Sequence, residues 1–523
     1  MAWGSSGMSL KHSYLKWLLV SCLLLLLTWT SPLTRGQDNP AGTINLAQIE
    51  KSIEQGRVEE IEKPLLDYAV LHPKDVRALY LLGQVRYLQG RLEEAKALYQ
   101  RVLVLNPSLA KAKIILGQIM YESGQQDEGR QLIVGVAQSP PTNPFDQLAL
   151  GNALVLVGEY QRALAAAEKL PVVVKNVEAL PVMAASYLAL GDRQRLTALI
   201  PLMKRAAVSK PAVAVQCAEI LQKAAMTRYA IELLRSVLAA NPDKVNVLVL
   251  LGRLETEARD FVQARRHLNR AASLKPRSAD LLSAQAQLES AQGDLTAALD
   301  SLNHARSLAP DSLPILAQFV VTAMRANQVQ AAVEAADKLV KLKPDEPEFT
   351  YLFGAALLQN GSLGPAQKAL ERYVRQRPDD SRGCLALGIT FALEHDQPEA
   401  AQAQFERCLQ LDPTNVEAKY QLGLLFKAQG EMTKAVQLLE EVTTRAPQHA
   451  NALRDLGTLY MQTGDVQKAR AVLERAVAMS PQDAETHFQL SRLYNRIGES
   501  ALAERHLEIF QKLKSQREKG SAP

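Results

Sequence analysis

Residues 416–449 read VEAKYQLGLLFKAQGEMTKAVQLLEEVTTRAPQH. Tyr420, Leu422-Gly423 and Phe426 line one helical face; after Gly430, the residues Ala435, Leu439 and Val442 line another. Pro447 closes the stretch. The same set returns from Ala450 as Leu453, Leu456-Gly457, Tyr460, Gly464, Ala469, Leu473, Ala476 and Pro481. It is present from Val76 as Leu79, Leu82-Gly83, Gly90, Ala95, Tyr99, Val102 and Pro107. Proline keeps the period. Pro73, Pro107, Pro141, Pro242, Pro276, Pro310, Pro344, Pro378, Pro413, Pro447 and Pro481 are spaced by 34 residues or a multiple of it, to within one residue. A fixed period of this length implies a stack of like helical units, with function on a surface rather than in a catalytic pocket.

Each position in the unit has a physical reading. Gly83, Gly423 and Gly457 fall inside the first helix, where glycine costs about 1 kcal/mol against alanine. The expected compensation is close approach of the second helix, with the small Ala95, Ala435 and Ala469 opposite. Gly90, Gly430 and Gly464 fall where the first helix ends, a left-handed position suited to glycine. Proline ends the second helix because it cannot continue one. Asn106-Pro107, Lys275-Pro276 and Asp412-Pro413 mark such turns.

This pattern resembles the tetratricopeptide repeat (TPR). The resemblance implies an all-α fold, a right-handed superhelix of antiparallel helix pairs with about fourteen repeats. They start near residues 42, 76, 110, 144, 177, 211, 245, 279, 313, 347, 381, 416, 450 and 484. The unit from 177 lacks the small residue of its second helix and carries Pro181 and Pro201 at unusual places. The unit from 381 has one extra residue near His395 to Glu399. The expected organisation is a signal peptide or signal anchor over 1–36, a linker over 37–41, the solenoid over 42–511 and a basic polar tail over 512–523.

Composition agrees with thin two-helix layers. Aromatics make up only 5% of 523 residues, and no sustained strand alternation is present. Sixty basic against 55 acidic residues give a net charge of +5, scattered over helix exteriors. No basic stripe interleaves with aromatics, which argues against nucleic acid as a partner. Lys11 and Lys16 precede the apolar run Trp17 to Trp29, and Thr34-Arg35-Gly36 follows as a small-residue site. Export is therefore expected, to the periplasm or outside if the segment is cleaved near Gly36. An uncleaved segment would anchor the chain in the inner membrane and be its only membrane contact. Cys22 lies inside the apolar run, the wrong place for lipidation.

The sequence carries no HExxH, Walker loop, Gly-x-Ser-x-Gly elbow or Cys/His metal cluster. The eight histidines are dispersed. We expect no enzyme activity and no cofactor. Cys217 reads as a small core residue. Cys384 and Cys408 lie on the two helices of one repeat and could pair in an oxidising compartment; two buried thiols are the alternative.

In TPR families the first helices line a concave groove that holds a protein or extended peptide. By register, the resemblance implies groove residues Tyr80, Gln84, Tyr87, Ile114, Gln118, Tyr121, Leu148 and Asn152 in the early repeats. It implies Tyr420, Lys427, Arg454, Phe488, Arg492 and Asn495 in the last ones. Packing between repeats is the other reading of the early tyrosines. Chaperone-binding TPRs clamp a carboxylate with Lys and Asn; here the Lys place holds Ile114 or Leu148, although Asn152 matches. The asparagine ladder of O-GlcNAc transferases is absent, since the corresponding places hold Leu81, Ile115, Ala149, Gln216, Leu250, Gln318 and Gln421. The expected function is a protein-binding scaffold of the cell envelope. A targeting or regulatory subunit of an enzyme complex, or an accessory factor in polysaccharide export, are the alternatives.

Overall fold

A computed structural model describes residues 45–394 and 396–520, and every regular element among them is a helix. The N-terminal segment, with its signal and linker, lies outside the described residues, as does His395. No described helix is long and apolar enough to cross a membrane. The chain divides after Asp294 into two compact units.

In the first unit the repeat from Val76 shows the plan. Its first helix is Val76–Leu88 and its second Leu92–Leu105. Asp75 caps the first helix, its carboxylate accepting from the amides of Arg77 and Ala78. Gly90 ends that helix at φ +75°, as the sequence requires. The second helix buries Ala95, Tyr99 and Val102 completely. It stops at Asn106, whose extended backbone is what a residue before proline prefers. The next pair, Ala110–Glu122 and Gln126–Gln138, packs against it. The irregular region is a real break in the pattern. Tyr160–Glu168 is followed by the single turn Val172–Lys175. The second helix expected after Leu180–Ala189 is divided into Arg193–Ala198 and Ile200–Ser209, where Pro201 sits in a first turn. Regular pairs resume at Pro211–Lys223 and end with Ala279–Gln292.

The second unit opens on Leu295–Leu308 and runs through five pairs to Ala484–Arg496 and Ser500–Gly520. Ser381–Glu394, in the repeat with the extra residue, has 14 residues, as does Ala450–Thr463, against 13 in Val416–Ala428. Both units are all-α solenoids of antiparallel helix pairs.

Two expectations need correcting. The alanine is not what fills the space above the first-helix glycine. A Cβ on Gly83 would lie 3.1 Å from the Tyr99 ring, and one on Gly457 would lie 2.5 Å from Leu473 Cγ. Glycine clears room for the large residue one turn beyond the alanine, while the alanine lets the helix backbones approach. The basic stretch from Lys512 is also not a separate tail up to Gly520, because the last helix continues through it. Lys512, Lys514 and Arg517 are good helix formers and no proline interrupts them.

A further device joins neighbouring repeats. Arg101 donates to the carbonyl of Pro73 at 2.8 Å, Lys338 to Pro310 at 2.8 Å, Arg372 to Pro344 at 2.7 Å and Arg407 to Pro378 at 3.0 Å. In each case a second-helix cation satisfies a carbonyl of the turn that begins its own repeat. The proline that ends one helix thus also presents the acceptor that ties down the next unit.

Candidate functional site

The first helices place one residue per repeat at each register position, so a surface is built as rows. The row through Gln84, the ninth residue of its helix, continues through Gln118, Asn152, Ala185, Glu219, Arg253 and Gln287. Every member but Ala185 is polar, and all lie in the first unit. The same position in the second unit holds Val321, Ala355, Ile389 and Leu424, then Thr458 and Arg492. Those four apolar side chains are half-buried. Reading the early and late repeats alone missed the middle of both rows. Stepping by one repeat from Gln84 would have found them.

Some polar atoms on and beside this row lack partners within the protein. Gln84 Oε1, Ser186 Oγ and Arg253 Nε are shut away from water with no hydrogen-bond partner, an arrangement that is uncommon in folded proteins. Arg253 uses Nη2 on the Asp280 carbonyl at 3.0 Å and on Ser283 Oγ at 3.4 Å. Glu219, on the preceding repeat, is half-buried, and burial pushes its carboxyl up to about 7, Lys223 opposing. Beside these rungs Gln222 donates to Glu257 at 2.7 Å.

The early expected residues form the floor of this face. Tyr80, Gln84, Tyr87, Ile114, Gln118, Leu148 and Asn152 are all buried, and Tyr121 is half-buried. Tyr80 meets Tyr99 of its own second helix edge-on at 5.5 Å. The Tyr87 hydroxyl donates to Glu122 at 3.2 Å across to the next repeat. Burial lifts the Glu122 carboxyl to about 7, partly offset by that hydrogen bond.

The late residues are joined by charge. Tyr420 donates to Asp455 at 2.9 Å, Lys427 lies 3.3 Å from the same carboxylate, and Arg454 bridges to Asp483 at 3.1 Å. Phe488 lies 5.1 Å from Phe510, with the Arg492 guanidinium 5.9 Å from its ring; Arg492 and Asn495 are exposed. Cys217 is a buried core residue, its thiol pushed up by burial. Cys384 and Cys408 share a small buried cluster with Ala418 as thiols, and their hydrogen bond eases ionisation of Cys384 while holding Cys408 protonated. Among the described residues no group of three or more metal-ligating side chains converges.

Among known families, the tetratricopeptide repeat matches residues 224–288, 323–383, 392–454 and 426–487, and a second description of that repeat matches residues 76–109. Among solved structures, the Cut9–Hcn1 hetero-tetramer of APC/C is similar at 13% identity over 88% of this chain and 96% of that one, with a TM-score of 0.43. MamA from Desulfovibrio magneticus RS-1 (residues 41 to the end) is similar at 24% identity over 32% of this chain and 96% of its own, TM-score 0.30. The RS-1 MamA ArsTM double mutant is similar at 23% over 33% and 96%, TM-score 0.30. No curated protein matches the chain.

Proposed function

The chain is a tetratricopeptide-repeat protein, and from that premise we propose that it is a non-catalytic scaffold holding a polypeptide along its first-helix face. The row of polar rungs carries this reading, since half-buried Glu219, Arg253 and Gln287 bring polar side chains to this face on successive repeats. An extended polypeptide offers alternating donors and acceptors along its backbone. It can satisfy successive rungs whatever its sequence, and a basic side chain would find a carboxylate at Glu219. The second unit offers a different chemistry. Val321, Ala355, Ile389 and Leu424 would take apolar side chains of a partner.

The setting proposed is the cell envelope, after export directed by Lys11, Lys16 and the apolar run that follows. Sequencing the N-terminus of the mature protein tests it: a start just after Gly36 supports cleavage and export. Recovery of the intact N-terminus from the cytoplasm would overturn the setting but not the scaffold.

Crosslinking in the native cell followed by copurification tests the scaffold. Capture of a polypeptide should fall by about tenfold or more in Glu219→Ala, a loss of ~1.4 kcal/mol, with the melting temperature unchanged, and in Arg253→Ala, which also gives up its bonds to Asp280 and Ser283 and should melt lower. Recovery of one dominant enzyme would favour a targeting subunit. A glycan-export complex would favour the polysaccharide reading. Unaltered capture by both variants would remove the rungs from the site.

A further inference from the structure

The last repeat contains two histidines that face each other. His487, in Ala484–Arg496, is 4% exposed, and its Nδ1 lies 2.9 Å from Nδ1 of His506 in Ser500–Gly520. The ring centroids are 5.1 Å apart, and Tyr494 stacks on His506 at 5.5 Å. The pair fixes its own tautomers. His487 Nε2 lies 3.1 Å from the Pro481 carbonyl, which only accepts, so Nε2 carries the proton. A neutral His487 then has a bare Nδ1, and the hydrogen between the rings belongs to His506. With both rings protonated, two N–H groups would be set against each other at hydrogen-bond distance.

We propose that His487 and His506 form an acid-sensitive latch that holds the C-terminal helix on the last repeat at neutral pH and releases it in acid. The surroundings offer little to stabilise a second positive charge. Tyr494 donates to Glu474 at 2.8 Å, and Arg470 lies 2.9 Å from the same carboxylate and 2.8 Å from Glu499. The nearest anion is therefore already engaged, and Arg505 adds positive charge beside His506. Burial holds His506 below its ordinary value of 6.5, helped by His487 and Arg505 and opposed by Glu474. The sign follows. The released helix binds the proton more tightly than the docked one. Docking is fully favoured above the ordinary histidine value and weakens as pH falls below it. The apolar contacts at stake include Leu490, Leu493 and Ala503, with Phe488 against Phe510.

Hydrogen–deuterium exchange of the full chain at about pH 7.5 and about pH 5 tests the latch, with rates corrected for intrinsic exchange. Protection over residues 500–510 should drop roughly tenfold per unit of lost stability on the pH scale. Protection in the neighbouring repeat, 450–479, should hold. His506→Gln can still donate to His487 but does not titrate, so its loss of protection in acid should be smaller. Imidazole nitrogen spectra of the unmodified protein give a second readout, expected to show Nε2–H at His487 and Nδ1–H at His506 at neutral pH. Equal acid responses in the unmodified protein and His506→Gln, or the opposite tautomers, would overturn the proposal.

Discussion

Tyr99 and Tyr373 are both buried in second helices, three places apart in the repeat, and their hydroxyls have opposite fates. Tyr99 is completely buried and its hydroxyl has no partner. Tyr373 donates to Asp380 at 2.6 Å and accepts from Arg382 at 3.0 Å. A buried hydroxyl without a partner costs desolvation and returns nothing. Tyr99→Phe should therefore be neutral or stabilising, whereas Tyr373→Phe should cost about 1–3 kcal/mol by leaving charged partners unsatisfied. Urea melts of both variants check the pair, and equal losses would contradict the assignment. At this scale the sequence was read well where backbone chemistry dominates. Gly90, Gly430 and Gly464 adopt φ of +75°, +81° and +89°. It was read less well where two side chains share one space. What faces Gly457 depends on how deeply Leu473 reaches, which periodicity does not encode. The same turn position also accepts Ala225 and Asn327 at positive φ, so glycine is preferred there but not obligatory.

Whole helix pairs should behave as exchangeable parts. Removing Ala450–Asp483 takes out one first helix, one second helix and one turn, and brings His449 to the start of Ala484–Arg496. Histidine already caps a helix there, its Nδ1 accepting from the Ala452 amide at 3.1 Å. The shortened chain should remain helical and melt cooperatively, because stability is nearly a sum over repeats and their interfaces. Removing only 450–466 should melt far lower, since it leaves a second helix with no first helix to cover Ala469, Leu473 and Ala476. Equal circular-dichroism melts would refute the phasing. Within the pair Ser381–Glu394 and Pro398–Leu411, a small disulfide oxidant should convert the two facing thiols to a disulfide and itself be reduced to thiols. The product should lack the mass of two hydrogens and gain about 2–4 kcal/mol, and Cys384→Ser should lose both effects. An unchanged mass after oxidation would leave them as packed thiols. Sequence placed both cysteines in one repeat; that they share one cluster follows from the pairing of the helices. The cation-to-proline staples were not legible in the same way, because Arg101 and Arg372 read as solvated exterior residues until the turn carbonyls are located.

At the scale of the chain, the repeat made the fold legible nearly throughout, since one unit read correctly predicts its neighbours. The site was legible only in part. Sequence named rungs such as Gln84, Gln118 and Asn152 because the register was followed there, and passed over Glu219, Arg253 and Gln287 in the middle repeats, where it was not. Their partial burial depends on how the first helices pack, a property of the stack rather than of any one repeat. The central claim is that a polypeptide lies along these rungs. Photo-crosslinking residues placed singly at Glu219 and Gln287, and at the exposed second-helix Val262, test it most directly in the native cell. Crosslinks to one polypeptide from both rung positions, and none from Val262, are the expected result. Labelling from Val262 with none from either rung would contradict the account.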